Sequence, residues 1–209
     1  MLDLVLPLQC GGCGAAGTRW CPICARELAV RPDEPHVVTP RVDPGVPVLS
    51  LGRYAGSRRR AIVALKEHGR ADLAAPLAEA LTTALSNLLT WNVLDTPLTV
   101  VPAPTRRSAA RRRGGDPITR IADKAATGLP GLTVRPALHL KAFTRDSVGL
   151  SSADRQRNIA GRIRVSTPVG GAVIVVDDVV TTGATAAESV RALQTRGADV
   201  LAVLALAHA

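Results

Sequence analysis

Residues 172–189 read AVIVVDDVVTTGATAAES, and no other stretch limits the fold as tightly. The apolar run from Ala172 offers no polar face to water, so a strand built from it must be covered on both sides. Such strands belong to parallel sheets, and parallel pairing requires helical crossovers. The run ends in two carboxylates, Asp177 and Asp178. Hydroxyls at Thr181, Thr182 and Thr185 follow, with Gly183 among them, and the pattern from Ala184 to Arg196 reads as a helix stopped at Gly197.

The turn at Thr181 to Thr185 falls where open α/β sheets bind ligands, beyond the carboxyl ends of the strands. Free N–H groups at a helix start and the positive end of its dipole suit a phosphate. Gly183 lets the backbone come close, and the threonines add O–H donors. The acidic pair would repel a phosphate unless it bound something else. Ribose hydroxyls are donors that carboxylates can accept, and Mg²⁺ can sit between hydroxyls and pyrophosphate oxygens. Neighbouring strand residues point to opposite faces, so both carboxylates serve one ligand only if the chain is already turning there. A turn-capping Asp and a plain helix cap are the bland alternatives. The segment has neither the lysine of a P-loop nor the glycine spacing of a dinucleotide fold.

The chain has four cysteines, Cys10, Cys13, Cys21 and Cys24, all near its start. Two C-x2-C turns can aim four sulfurs at one ion, which favours a structural Zn²⁺ that organises the first ~28 residues through its own binding energy. The opening MLDLVLPLQC has no basic n-region, and the longest helix-like stretch without charge, Ala80 to Leu94, is short of the ~20 residues a membrane span needs. The expectation is a cytoplasmic chain with no membrane span, in which two disulfides are disfavoured against metal thiolates.

Five prolines between Arg31 and Pro47 exclude helix and central strand, so residues 31–47 read as an extended linker. The expected organisation is a zinc knuckle over 1–30, this linker, and an α/β domain over 48–209. Strands are predicted at Val46 to Tyr54, Leu98 to Pro102, Leu132 to Arg135, Ile163 to Val165, Ala172 to Asp178 and Asp199 to Leu206. Helices are predicted at Ser57 to His68, opened by a serine cap, and at Pro117 to Ala126. Leu73, Leu77, Leu81, Leu85 and Leu88 mark the apolar face of a longer helix.

The chain is basic, with 26 Lys and Arg against 17 Asp and Glu, which favours anionic partners. Nearly all of the basic residues are arginine in an alanine-rich chain, a skew that a GC-rich coding sequence produces whatever the function. Arg106, Arg107, Arg111, Arg112 and Arg113 form the densest cluster, readable as a solvated face or as a pyrophosphate and polyanion site. Arg58, Arg59 and Arg60 open a helix against its dipole, a weak sign of a partner. Aromatic residues amount to 2%, which argues against a nucleic-acid platform built on stacking. The four histidines read as structural or surface residues. Lys66 reads as a solvated helix end, with a phosphate contact as the alternative.

At Asp177 to Thr185 the sequence resembles the type I phosphoribosyltransferases, and more narrowly the ComF family of competence-associated, phosphoribosyltransferase-like proteins. The resemblance takes in the four-cysteine knuckle, Tyr54-Ala55-Gly56, Lys66, VVPAP at Val100 to Pro104, Arg112 to Gly114, and Leu150 to Asn158. It implies a type I phosphoribosyltransferase-like parallel sheet with helices on both faces. It implies a site for phosphoribosyl pyrophosphate (PRPP) or ribose 5-phosphate, with Asp177 and Asp178 on the ribose hydroxyls and Thr181, Thr182, Gly183, Ala184 and Thr185 on the 5-phosphate. Ala103, Pro104, Thr105, Arg106 and Arg107 would hold pyrophosphate, and Arg155 and Asn158 would be polar residues of a covering loop. Many relatives differ from this chain at Glu67, Gly115, Asp116 and Ser147. Three functions follow from the resemblance: a transferase acting on Mg-PRPP, a DNA-uptake protein with single-stranded DNA as partner, or a PRPP sensor without turnover.

Overall fold

A computed structural model describes residues 8–105, 115–140 and 161–209. Its main sheet has the order β1-β2-β8-β7-β3-β4. The strands are β1 (His36–Val38), β2 (Val48–Ser50), β3 (Leu98–Pro102), β4 (Leu132–Val134), β7 (Ala172–Val180) and β8 (Asp199–His208). Every neighbouring pair is parallel except the edge strand β1, which runs antiparallel to β2. A separate antiparallel ribbon joins β5 (Leu138–Leu140) to β6 (Ile163–Val165).

Alternation along the strands sends side chains to two cores. Leu49, Val100, Ile174, Val176 and Leu204 pack on the face covered by α2 (Gly56–Glu67), α3 (Ala74–Thr90) and α4 (Pro117–Ala126). Val48, Val101, Val173, Val175 and Val203 pack on the opposite face, under α5 (Ala184–Gln194) and the β5–β6 ribbon. The expected class is therefore what the chain adopts: a parallel sheet clothed on both sides, with the four cysteines gathered at the N-terminal side. On α3, Leu77, Leu81, Leu85 and Leu88 are all at or near zero exposure, each burial worth ~2 kcal/mol.

Several elements differ from the sequence reading. Helix α2 starts from Ala55 with no side-chain cap, and Ser57 is buried inside its first turn. Its arginines answer to internal partners instead. Arg58, buried, donates to the carbonyls of Leu206 and Leu28; Arg60 donates to the Gly12 carbonyl; Arg59 lies over the Tyr54 ring. The run thus ties α2 to β8, to the short helix α1 (Pro22–Leu28) and to the knuckle, and the dipole cost is offset by those bonds. Within the proline-rich segment, β1 takes a sheet edge, a place where missing N–H donors are tolerated.

Candidate ribose-phosphate site and cysteine knuckle

Strand β7 continues two residues past the acidic pair to Val180, because β8 extends to His208 and supplies a partner that far. Asp177 pairs across to Ala205 and Val180 to His208, so the chain does not turn at the carboxylates as the sequence suggested for a shared ligand. Asp178 is paired with a cation instead. Lys66, in the last turn of α2, places its Nζ 2.6 Å from Asp178 Oδ2, and its charge also acts on Asp177. Both side chains of that ion pair are partly exposed, so it lies at an opening of the fold. The reading of Lys66 as a solvated helix end misses this pairing, which arises only because α2 delivers its C-terminal turn to the carboxyl edge of the sheet.

Asp177 accepts the N–H of Asp178 through Oδ1 at 2.8 Å. Burial and the neighbouring Asp178 charge push its carboxyl up to about 7, with Lys66 and the Asp178 N–H pulling the other way. Asp116 adds a further upward push. Asp116 caps α4 through Oδ2, which accepts the N–H and hydroxyl of Thr119, while its Oδ1 is buried without a partner among the described residues. Sequence reading noticed Asp116 only as a departure from a pattern. The Asp-Pro pair at a helix start was the available signal for a cap, and nothing in the sequence brought it toward Asp177.

Beyond Val180 the chain bends through Thr181 to Gly183 and enters α5, with Gly183 at the N-cap in the left-handed region, φ +84°. Thr182 Oγ1 accepts the Ala184 N–H at 3.4 Å, and the Ala187 N–H goes to the Gly183 carbonyl. The N–H groups of Gly183, Thr185 and Ala186 have no acceptor among the described residues. Unclaimed donors at a helix start form an anion-binding arrangement, and the Thr181 hydroxyl is exposed beside them. At the end of β3, the Ala103 N–H donates to the Val176 carbonyl, which lays Ala103, Pro104 and Thr105 alongside the acidic pair. Arg106, Arg107, Arg155 and Asn158 lie outside the described residues. The described part of the expected site therefore converges on one edge: Lys66 from α2, Ala103–Thr105 after β3, Asp177 and Asp178 on β7, and the Thr/Gly turn before α5.

The knuckle lies at the other side of α2. Cys10, Cys21 and Cys24 are buried and Cys13 is exposed, and the four Sγ atoms lie within 4.8 Å of one another. The Cys13 and Cys21 sulfurs are 3.6 Å apart, far too long for a disulfide and near the ~3.8 Å edge of a tetrahedron with ~2.3 Å metal–sulfur bonds. Cys10 Sγ accepts the N–H of Gly12 at 3.4 Å and of Cys21 at 3.3 Å, and Cys21 Sγ accepts the Cys24 N–H. Burial alone raises the Cys10 thiol, yet N–H bonds from Cys13, Gly12 and Cys21 bring it down to about 6. Burial and the neighbouring thiols push Cys24 well above the ordinary thiol value, a cost that a cation at the centre would reverse. The donor set fits a metal ion such as zinc.

No protein-family model matches the chain. It is 27% identical to the DNA utilization protein YhgH of Salmonella typhimurium over 89% of this chain and 88% of that protein. It is likewise 27% identical to the DNA utilization protein YhgH of Escherichia coli K12, over 94% of this chain and 82% of that protein. Among solved structures, Leishmania donovani UMP synthase aligns with 89% of this chain and 31% of its own, at 14% identity and a TM-score of 0.37. No helix among the described residues is long and apolar enough to cross a membrane.

Proposed function

We propose that this chain is a zinc-bearing, phosphoribosyltransferase-like protein that binds Mg-PRPP and can pass its phosphoribosyl group to a nitrogen nucleophile. One observation carries the reading: Asp177 and Asp178, the second paired with Lys66, stand at the same edge as a helix start whose N–H donors have no acceptor among the described residues. Carboxylates alone would repel a phosphate, and N–H donors alone would take any anion. A sugar phosphate, with hydroxyl donors at one end and phosphate oxygens at the other, satisfies both. Its 5-phosphate would sit on Thr181–Thr185, its ribose hydroxyls on Asp177 and Asp178, and its pyrophosphate beside Ala103–Thr105.

In the reaction, the nitrogen lone pair forms a bond to C1 while the C1–O bond to pyrophosphate breaks and its electron pair leaves with the pyrophosphate. The proton given up by the nitrogen passes to water or to a carboxylate. Positive charge would develop on the ribose ring in between, and the two aspartates would stabilise it. Mg²⁺ would arrive with the ligand and would supply charge neutralisation to its pyrophosphate. Lys66, paired with Asp178, would have to give way, or turn to a phosphate, for the ligand to bind. Zinc would be held by Cys10, Cys13, Cys21 and Cys24 in a structural role, since all four positions around it are filled.

Calorimetric titration of PRPP with Mg²⁺ into zinc-loaded protein tests the reading. Micromolar binding that vanishes in an Asp177→Asn/Asp178→Asn variant is the expected result, and pyrophosphate release in a screen of nitrogen acceptors would extend it to turnover. Absence of binding by the unaltered protein overturns it. A second reading is supported by the curated relatives, both named for DNA utilization, and by the excess of basic over acidic residues: a DNA-uptake role with single-stranded DNA as partner and PRPP as ligand. Oligonucleotide affinity that falls steeply with salt, and shifts when PRPP is added, would favour it.

A further inference from the structure

A Cβ placed on Gly183 would lie 2.4 Å from the Val42 carbonyl oxygen and 2.7 Å from Pro40 Cβ. Both distances are closer than real Cβ atoms come to their neighbours. The Val42 N–H, on the same short segment, donates to the Thr182 carbonyl at 2.8 Å. The space beside the glycine of the phosphate turn is thus filled by residues 40–42 of this chain.

The peptide unit between Thr182 and Gly183 gives this contact its meaning. A trans peptide is planar, and its C=O and N–H point in opposite directions. When Val42 captures the Thr182 carbonyl, the Gly183 N–H is held facing away from residues 40–42, on the side left open for an anion. Without that bond the peptide next to a glycine could rotate cheaply, because glycine accepts either hand of backbone. The segment is itself held on both flanks. Before it, β1 pairs with β2 and Asn87 donates to the Glu34 carbonyl at 2.8 Å. After it, the Gly45 N–H closes a turn on Asp43 Oδ1 at 2.8 Å.

We infer that residues 40–42 are a strap that sets the donors of the phosphate turn, with Val42 as a positioning residue acting through its N–H and Gly183 demanded by the strap rather than by the ligand alone. The inference rests on the proposed site for the identity of the anion; the strap itself does not.

Two variants act on the contact from opposite sides. Val42→Pro removes the N–H, and Val42→Ala keeps it. Loss of this one hydrogen bond predicts that Val42→Pro binds ribose 5-phosphate about five-fold more weakly while Val42→Ala binds as the unaltered protein does. Equal affinity in both overturns the inference. Gly183→Ala, without ligand, should raise amide hydrogen exchange at residues 41–43 by displacing the strap. Unchanged exchange there would mean that the strap does not require the glycine, which its φ of +84° favours in any case, and the strap assignment falls. Should the unaltered protein bind no ribose 5-phosphate, the proposed function fails by itself. Exchange at residues 181–185 then decides the strap: faster in Val42→Pro than in Val42→Ala supports it, and equal rates overturn it.

Discussion

Around the cysteines, residues 9–24 bury three sulfurs beside the partly covered Trp20 ring, and little else of their own. Along β7, Val173–Val176 are fully covered on both faces before the acidic pair is reached. The first region has an arrangement of donors in search of a charge. The second has a scaffold that needs no ligand, and it carries charges the scaffold tolerates at a cost. Order in the knuckle is therefore expected to depend on an ion held by its four sulfurs, whereas the β7 edge is ordered by its own packing and can hold groups that are unfavourable alone. A pair of carboxylates that is unfavourable alone is best tolerated where neighbouring packing is strongest, and Asp177 and Asp178 stand at the end of such a strand.

The largest expected effect breaks the comparison at the knuckle. Chelation, or Cys24→Ser, removes a contribution of ~10 kcal/mol to the order of that region. Residues 9–28 should become protease-sensitive, while circular dichroism of the sheet domain is largely retained. Loss of the sheet signal as well would mean that the two regions fold as one. Next, Leu81→Ala, at a fully buried position on α3, should cost ~3 kcal/mol by denaturant titration and leave metal content unchanged.

A smaller effect sharpens the cost of the acidic pair. The Asp177 carboxyl keeps its proton to about pH 7 in the folded chain, against 3.8 ordinarily. Between those values the folded state binds a proton that the unfolded state has released, so stability should fall as pH rises from about 4 to about 7 and then level off. Asp177→Asn should remove that decline, as read from melting temperature against pH. The smallest change expected is from Lys66→Met, which leaves Asp178 without its cation. For a partly exposed pair the cost is ~1 kcal/mol, and the Asp177 titration should move further upward.

What could be read from the sequence was whatever depends on neighbours along the chain. The leucines of α3 repeat at helical spacing, the β7 run is apolar without interruption, and paired cysteines two apart announce a metal site, so all were visible in advance. The helix from Pro117 to Ala126 was visible for the same reason, its Asp-Pro start being local chemistry. Contacts between distant segments were not. Lys66 meets Asp178 because α2 crosses to the carboxyl edge, and Val42 meets Thr182 because β1 folds back beside β2. Strand β1 was hidden by its prolines, which permit an edge position but give no positive sign of one. The extension of β7 past the carboxylates depended on the length of β8, and only the assembled sheet supplies that. At the candidate site, the residue types were legible and their mutual arrangement was not.

The two outer strands of the sheet carry a consequence of another kind. Both β1 and β4 are three residues long, and each is bracketed by prolines: Pro35 and Pro40 around one, Pro130 and Pro136 around the other. A strand arriving from another molecule would find only a brief ladder, with a proline that lacks an N–H within two residues of either end. The sheet ends itself on both sides, and a chain with so apolar a centre is thereby protected from growing into an aggregate when it is crowded.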